Sequence, residues 1–444
     1  MSAASFLRRL FGRPRPGTDA RVQHAVSLCE ALLGERGETS GATLARELLA
    51  AWQALDEGQR AQFFDVLAEE FSPDPAAVGK AADAYRDDPA PRNLIRLQAL
   101  AEPARQELFR RLNMAPGGTA ALVEMRRQVL RGLDAHPGWK PIDHDLLHLF
   151  RSWFNRGFLR LQRIDWRTAA IVLEKLIEYE AVHAIQGWPD LRRRLESDRR
   201  CFGFFHPQLP DEPLIFIEVA LTQGLSAHVQ PLLDMKAPMG DPARADCAIF
   251  YSITNCQQGL RGISFGNLLI KQVAEDLKRE FPHLKTFATL SPIPGFRRWL
   301  DSTETRVKLA MGPDAEARLA LLAQLDEPGW SSGEVTEALQ KLLMRLCAWY
   351  LLHARRGDEP FDEVARFHLG NGAALERLNW FGDTSASGLK RSAGLMVNYV
   401  YRLEDVERNH ERYFAGHTVV ASRAVDKLAR KCVLSALPEK APEA

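Results

Sequence analysis

DCAIFYSITNCQQGLRGISFGNLLIKQVAEDLKREFPHLKTFATLSPIPGFRRW, from Asp246 to Trp299, decides how the rest of the chain is read. An apolar run, Ala248 to Ile253, meets a turn carrying Gly259, Gly262 and Gly266. An amphipathic segment continues to Glu280, and a second short apolar run ends at Ser291-Pro292-Ile293-Pro294-Gly295. The spacing predicts strand, phosphate-cradling turn, helix, strand and polar loop. Such a unit offers backbone N–H groups at a helix N-terminus to an anion. It also sets a hydroxyl at the C-terminal end of the second strand, where open α/β sheets place their chemistry.

The whole chain has 444 residues, more than one ordinary core uses, so two or three domains are expected. Its 46% hydrophobic and 26% charged residues are those of a globular protein. A net charge of +1 argues against nucleic acid or an anionic membrane as partner, yet leaves room for a local anion site. Six cysteines are scattered without a C-x-x-C pair, which speaks against a zinc knuckle or a secreted disulfide framework and for a reducing compartment. No apolar run approaches the ~18 residues of a membrane span. The first sixteen residues, MSAASFLRRLFGRPRP, are basic and lack acids, as in a mitochondrial presequence or a plain docked terminus. The last four, APEA, are not a peroxisomal address.

Residues 20–190 read as helix after helix. Leu44, Leu48, Trp52 and Leu55 recur at helical spacing, and Asp56 with Gln59 forms a capping-box pattern before Phe63, Phe64, Leu67 and Phe71. Pro103 suits the first position of another helix. The last long pattern, Trp166 to Ile185, is apolar on more than one side and is expected to be buried. The texture changes at Gly187-Trp188-Pro189. Beyond it lie short apolar runs: Leu214–Leu221, Ala248–Ile253, Thr286–Leu290, Val364–Leu369 and Leu395–Leu403. The first two are nearly continuous, as strands buried on both faces are, and the last alternates like a one-sided strand. The expected class is α+β: an all-α helical bundle over 1–188, then an α/β domain over 189–444 with a helical insertion between Asp314 and Arg355.

Three groups could carry chemistry. Gln257-Gln258-Gly259-Leu260-Arg261-Gly262 approximates the Q/R-x-x-G-x-G/A pyrophosphate loop of acetyltransferase-like folds, with Arg261 and Lys271 as charge-assisted donors. A ligand-free glycine turn explains it equally. Ser291 opens a loop that Pro292 and Pro294 fix and Gly295 turns, either as a held hydroxyl or as a simple turn former. His368 closes the expected Val364–Leu369 strand, where an imidazole suits acid–base work, or is a satisfied buried histidine. Asp143, His144, Asp145 and His148, and the Glu-x-x-His pairs Glu180/His183 and Glu407/His410, raise a metal reading; surface charge and helix caps explain them better. Ser226 and His228 lack the G-x-S-x-G elbow of an α/β-hydrolase.

At the level of whole blocks the chain resembles the malonyl-CoA decarboxylase family. The blocks are CFGFFHPQLPDEPLIFIEVALTQGL (from Cys201), AIFYSITNCQQGLRGISFGNLLIK (from Ala248), LSPIPGFRRWL (from Leu290), FHLGNGAALERLNWFGD (from Phe367) and GLMVNYVYRL (from Gly394). LEKLIEYEAVHAI, Leu173 to Ile185, resembles the family's helical domain. The resemblance implies an acetyltransferase-like (GNAT) catalytic domain that converts malonyl-CoA to acetyl-CoA and CO2, within fatty acid metabolism. It implies no metal or organic cofactor, and a bacterial, cytoplasmic homo-oligomer, dimer or tetramer, braced by the helical domain. It places catalysis on Ser291 and His368, and CoA binding on Arg261, Gly262, Ile263, Ser264, Phe265, Gly266 and Asn267. Ser264 departs from relatives that carry an acid there. Gln258, Lys271, Asn371 and Tyr401 are added as substrate-binding candidates, and Asn379 as a supporting one. An acyl-CoA-dependent acyltransferase using the same cleft, or a non-catalytic CoA-binding scaffold, are the alternatives.

Overall fold

The computed structural model describes residues 17–34, 36–263, 269–332 and 335–436. Ser264, Phe265, Gly266 and Asn267 therefore lie outside the described residues, as does the basic segment 1–16. The chain divides into two compact units.

The first comprises Met1–Arg160 with Phe205–Pro213 and Gln257–Phe265. The sequence reading set the boundary at 188, whereas contacts divide the chain at Arg160. Its helices are α1 (Ala20–Leu33), α2 (Arg36–Gln53), α3 (Glu57–Glu70), α4 (Pro75–Asp87), α5 (Pro91–Ala101), α6 (Ala104–Asn113), α7 (Gly118–Gly132) and α8 (Lys140–Trp153). The Asp56/Gln59 capping box is present, each side chain bonded to the other's backbone N–H, at 2.8 and 3.0 Å. Two otherwise orphaned donors are thereby satisfied at the start of α3. Phe63, Phe64, Leu67 and Phe71 are buried, as the helical spacing predicts.

The second unit comprises Leu161–Phe204, Leu214–Cys256 and Gly266–Ala444. It begins in β1 (Arg160–Ile164), followed by α9 (Ala170–Tyr179) and α10 (Trp188–Arg194). Instead of one buried helix from Trp166 to Ile185, α9 stops at Tyr179, and Trp166 and Ile171 are exposed. Glu180 ends the helix: its carboxylate accepts from the N–H groups of Val182 and His183 and from the hydroxyls of Ser252 and Thr254.

Then come β2 (Arg199–His206), β3 (Leu209–Thr222), α11 (Gln230–Leu233), β4 (Cys247–Asn255), α12 (Leu269–Glu280), β5 (Thr286–Thr289) and β6 (Ser291–Pro292). The remaining elements are α13 (Phe296–Leu300), α14 (Thr303–Leu309), α15 (Ala315–Ala323), α16 (Glu337–His353), β7 (Arg355–Arg356), β8 (Glu359–Pro360), α17 (Glu363–Gly370), β9 (Ala374–Asn379), α18 (Ala386–Ser392), β10 (Met396–Val400), α19 (Val406–Gly416) and α20 (Arg423–Arg430). The main sheet runs β1-β2-β3-β4-β5-β10-β6, with β9 also paired to β10. β4 and β5 are parallel, Phe250 opposite Thr289, which requires the crossover that α12 supplies. The opening stretch thus has the predicted strand–helix–strand order.

Two expectations change. Val364–Leu369 is not a strand but the body of α17, because Asp362 accepts from the N–H groups of Val364 and Ala365 and caps a helix there. β10 is not one-sided: all five of its residues are buried, and it is paired with β5 and β6 along one edge and β9 along the other. Its polar Asn398 is fully satisfied. The amide donates to the carbonyls of Thr289 (2.7 Å) and Ser226 (3.2 Å) and accepts from Arg377 and Asn379.

Candidate active site

β6 continues the register of β5 along β10, with Ala288 opposite Val400 and Ser291 opposite Val397. The ladder is interrupted between them. Leu290 turns its N–H to Phe250 on β4, and the Tyr399 N–H goes to the Thr289 hydroxyl at 3.2 Å. Thr289 and Ser291 are two residues apart, so their side chains share a face. By the same period Tyr399, in β10, and Tyr401, just past its end, point the same way.

His368, in the last turn of α17, meets this surface. Its Nε2 lies 3.0 Å from Ser291 Oγ and its Nδ1 2.8 Å from the Tyr401 hydroxyl. Its ring stacks on Tyr399 with centroids 4.7 Å apart. Ser291 is 5% exposed and His368 3%. Asp362 fixes both partners at once. It caps α17 and accepts from the Gly295 N–H, in the loop after Ser291, and from the Tyr350 hydroxyl. A Cβ on residue 295 would fall 2.3 Å from that hydroxyl, so glycine is required there by packing.

Proton positions follow by elimination. Ser291 Oγ donates to Thr289 Oγ1 at 2.8 Å. A hydroxyl has one hydrogen, so Ser291 can only accept from His368. Nε2 therefore carries the imidazole hydrogen and Nδ1 accepts from Tyr401. Burial pushes the His368 pKa down to about 3, so the ring is neutral at physiological pH, and pushes the Tyr401 phenol up, so it keeps its proton. The sequence reading expected a histidine titrating near neutrality; burial removes that behaviour. The order is the reverse of a serine hydrolase, in which the serine gives its proton to the histidine.

The other candidates are placed differently. Asn371 caps α17, its side-chain amide donating to Phe367 at 2.7 Å. Asn379 donates to Asn398, not to the histidine. Lys271 is paired with Glu407 at 2.6 Å, which engages one of the two Glu-x-x-His carboxylates, as Ser252 and Thr254 engage the other. In the helical unit, Gln258 accepts from Arg131, Gly262 has φ +80°, and Ile263 is buried. Arg126 donates to the carbonyls of Gly259 and Arg261, both at 2.8 Å. A Cβ on Gly259 would lie 2.0 Å from the Val123 carbonyl, so this glycine answers to α7. Sequence reasoning missed Thr289, Tyr399 and Asp362. Their signals were the T-x-S and Y-x-Y alternations and an aspartate opening an apolar run.

The description "Malonyl-CoA decarboxylase C-terminal domain" fits residues 157–439, and "Malonyl-CoA decarboxylase N-terminal domain" fits 71–154. The chain belongs to the malonyl-CoA decarboxylase family. A family member from Anser anser anser, named malonyl-CoA decarboxylase, mitochondrial, is 35% identical over 411 residues, covering 85% of this chain and 82% of that one. The Rattus norvegicus protein of the same name is 37% identical over 355 residues, 74% and 72% of the two chains. Solved structures agree. Malonyl-CoA decarboxylase from Rhodopseudomonas palustris is 51% identical with a TM-score of 0.85, and that from Agrobacterium vitis 48% with 0.83. Each covers 91% of this chain and is itself 99% covered.

Proposed function

We propose that this protein decarboxylates malonyl-CoA to acetyl-CoA and CO2, with Ser291 and His368 as its catalytic residues. The observation that carries the reading is the buried line Tyr401–His368–Ser291 in a chain of this family. The C–C bond to the carboxylate breaks, its electron pair passes into the thioester as an enolate, and neutral CO2 leaves. One proton must then reach carbon. Ser291 supplies it as His368 Nε2–H replaces it and Tyr401 protonates Nδ1; one proton from water then returns to Nε2 as Nδ1 hands its proton back to Tyr401, which restores the starting tautomer each turnover. A neutral imidazole suits the relay, because an imidazolium in this apolar pocket would cost desolvation at every resting moment.

The loop Arg261–Asn267 binds the CoA pyrophosphate in this reading, and no cofactor is needed, because the thioester is itself the electron sink. The parallel β4–β5 pair joined by α12 supports an acetyltransferase-like domain. We place the protein in the cytoplasm as a homo-oligomer. Six free, buried cysteines support a reducing compartment, and the exposed Leu94 and Ile95 of α5 offer subunits an apolar surface. No helix among the described residues is long and apolar enough to cross a membrane. Incubating the purified protein with malonyl-CoA alone tests the reading. Acetyl-CoA and CO2 in equal amounts, without any acceptor, are expected; product only with an added amine or carrier protein would make it an acyltransferase.

A further inference from the structure

α13 follows the strand carrying Ser291, and α18 leads into β10. Between them lies a cavity of about 500 Å³ whose lining includes Pro294, Arg297, Arg298, Ser387, Lys390 and Arg391. No carboxylate lines it. The cavity reached by Tyr401 carries Asp246, Glu376 and Glu404, and the cleft along α20 carries Asp426. Here every charged lining group is a cation, although the whole chain is only +1.

Two of the cations are held in place. Arg297 is tethered to Asp301 at 3.1 Å and to Asp326 at 2.9 Å, which also offsets its charge. The Arg298 guanidinium lies over the Phe361 ring, 5.9 Å from its centroid. Among the described residues, Arg298, Lys390 and Arg391 have no carboxylate at ion-pair distance. Like charges gathered without counter-charges repel, and a bound anion relieves that repulsion.

We propose that this cavity is a binding site for a phosphate-bearing anion. The planar arginine fork matches phosphate oxygens in pairs, and a lysine adds a point charge. Three unneutralised cations suit a di- or trianion better than a lone carboxylate. The volume falls within the range of small-molecule sites, about 300–1,000 Å³, well beyond what a single ion fills. The phosphates belong either to the ribose phosphate at the nucleotide end of the acyl-CoA substrate, beyond the pyrophosphate assigned to Arg261–Asn267, or to a separate phosphorylated metabolite. Only the first source rests on the proposed decarboxylase activity.

The probe is inorganic pyrophosphate, titrated calorimetrically into the full chain and into the triple variant R298Q/K390Q/R391Q. All three side chains are exposed, so the fold is expected to survive, which the thermal midpoint checks. Binding to the wild type, weakened by about tenfold or more in the variant, is expected. Equal binding to both proteins, or to neither, overturns the site. Kinetics then separate the sources. If the substrate's phosphates bind here, the variant's KM rises by about tenfold for malonyl-CoA and stays unchanged for phosphate-free malonyl-pantetheine. If a separate metabolite binds, both KM values stay unchanged while pyrophosphate binding is lost. A rise in both KM values together contradicts a phosphate site. The titration needs no turnover, so a protein that binds pyrophosphate but releases no CO2 keeps this inference and loses the function proposed above.

Discussion

Ser291 donates its hydroxyl hydrogen bond to Thr289, at 2.8 Å, and accepts from His368, 3.0 Å away. Thr289 is fully buried and also takes the Tyr399 N–H, so its oxygen is fixed from two directions. It is a positioning residue for the proton relay, acting through Ser291.

Thr289→Val removes the acceptor at nearly constant shape, whereas Thr289→Ser keeps it. The valine variant is expected to lose about tenfold in kcat with little change in KM, from the loss of one buried hydrogen bond. The serine variant is expected to recover most of that loss. Steady-state kinetics decide, and equal impairment of both variants would make the residue's role one of packing.

The pH profile is the second consequence. With the His368 pKa near 3, the imidazole does not titrate between about pH 5 and pH 8, so kcat/KM is expected to show no limb near 6.5. A limb there that disappears in His368→Gln would contradict the neutral relay. The same shift governs stability. Between about pH 3 and 6.5 the unfolded chain binds a proton at this position that the folded chain does not. The contribution is complete above 6.5 and is lost as pH falls toward 3, so His368→Gln is expected to flatten the fall in stability over that window in denaturant titrations.

The contrast between two glycine readings shows where sequence reasoning stops. A strand, a turn, an amphipathic helix and a second strand were legible from Asp246 to Trp299, because continuous apolar runs and a 3.6-residue period are local signals. The reason for Gly259 was not local: its neighbour is the Val123 carbonyl, far away in the sequence. α17 was misread for a related reason. Val364 to Leu369 is too short for periodicity to separate helix from strand, and the deciding group is the Asp362 carboxylate just before it. The Ser291–His368 distance was reachable only through the family resemblance, since the two stand 77 positions apart in the chain. Tyr401 was singled out, but Thr289 was not, because a threonine ending a strand is ordinary until its partners are seen.

Gly259→Ala is expected to lower the thermal midpoint of the ligand-free protein, because a methyl group would have to displace backbone of α7. Overpacking of this kind costs about 1–3 kcal/mol. An unchanged midpoint with weakened CoA binding would assign the glycine to phosphate approach instead.

The buried charge cluster beside β3 makes a separate prediction. Arg194 donates to Asp190 at 2.9 Å, to Glu218 at 2.8 Å and to the His183 carbonyl at 2.8 Å. Arg194→Met leaves the buried Asp190 carboxylate without its cation and Glu218, which burial pushes up to about 8, without its donor, and is expected to cost about 3–5 kcal/mol in urea unfolding. A loss below about 1 kcal/mol would mean that water reaches the cluster.

The central claim is that His368 and Ser291 together move the proton that decarboxylation requires. The most direct measurement is CO2 release from malonyl-CoA, without acceptor, by the wild type and by His368→Ala, with CoA affinity measured alongside. General acid–base help is worth about 10²–10⁴-fold. A loss of turnover in that range with CoA binding retained is the predicted result; near-normal CO2 release by His368→Ala would contradict it.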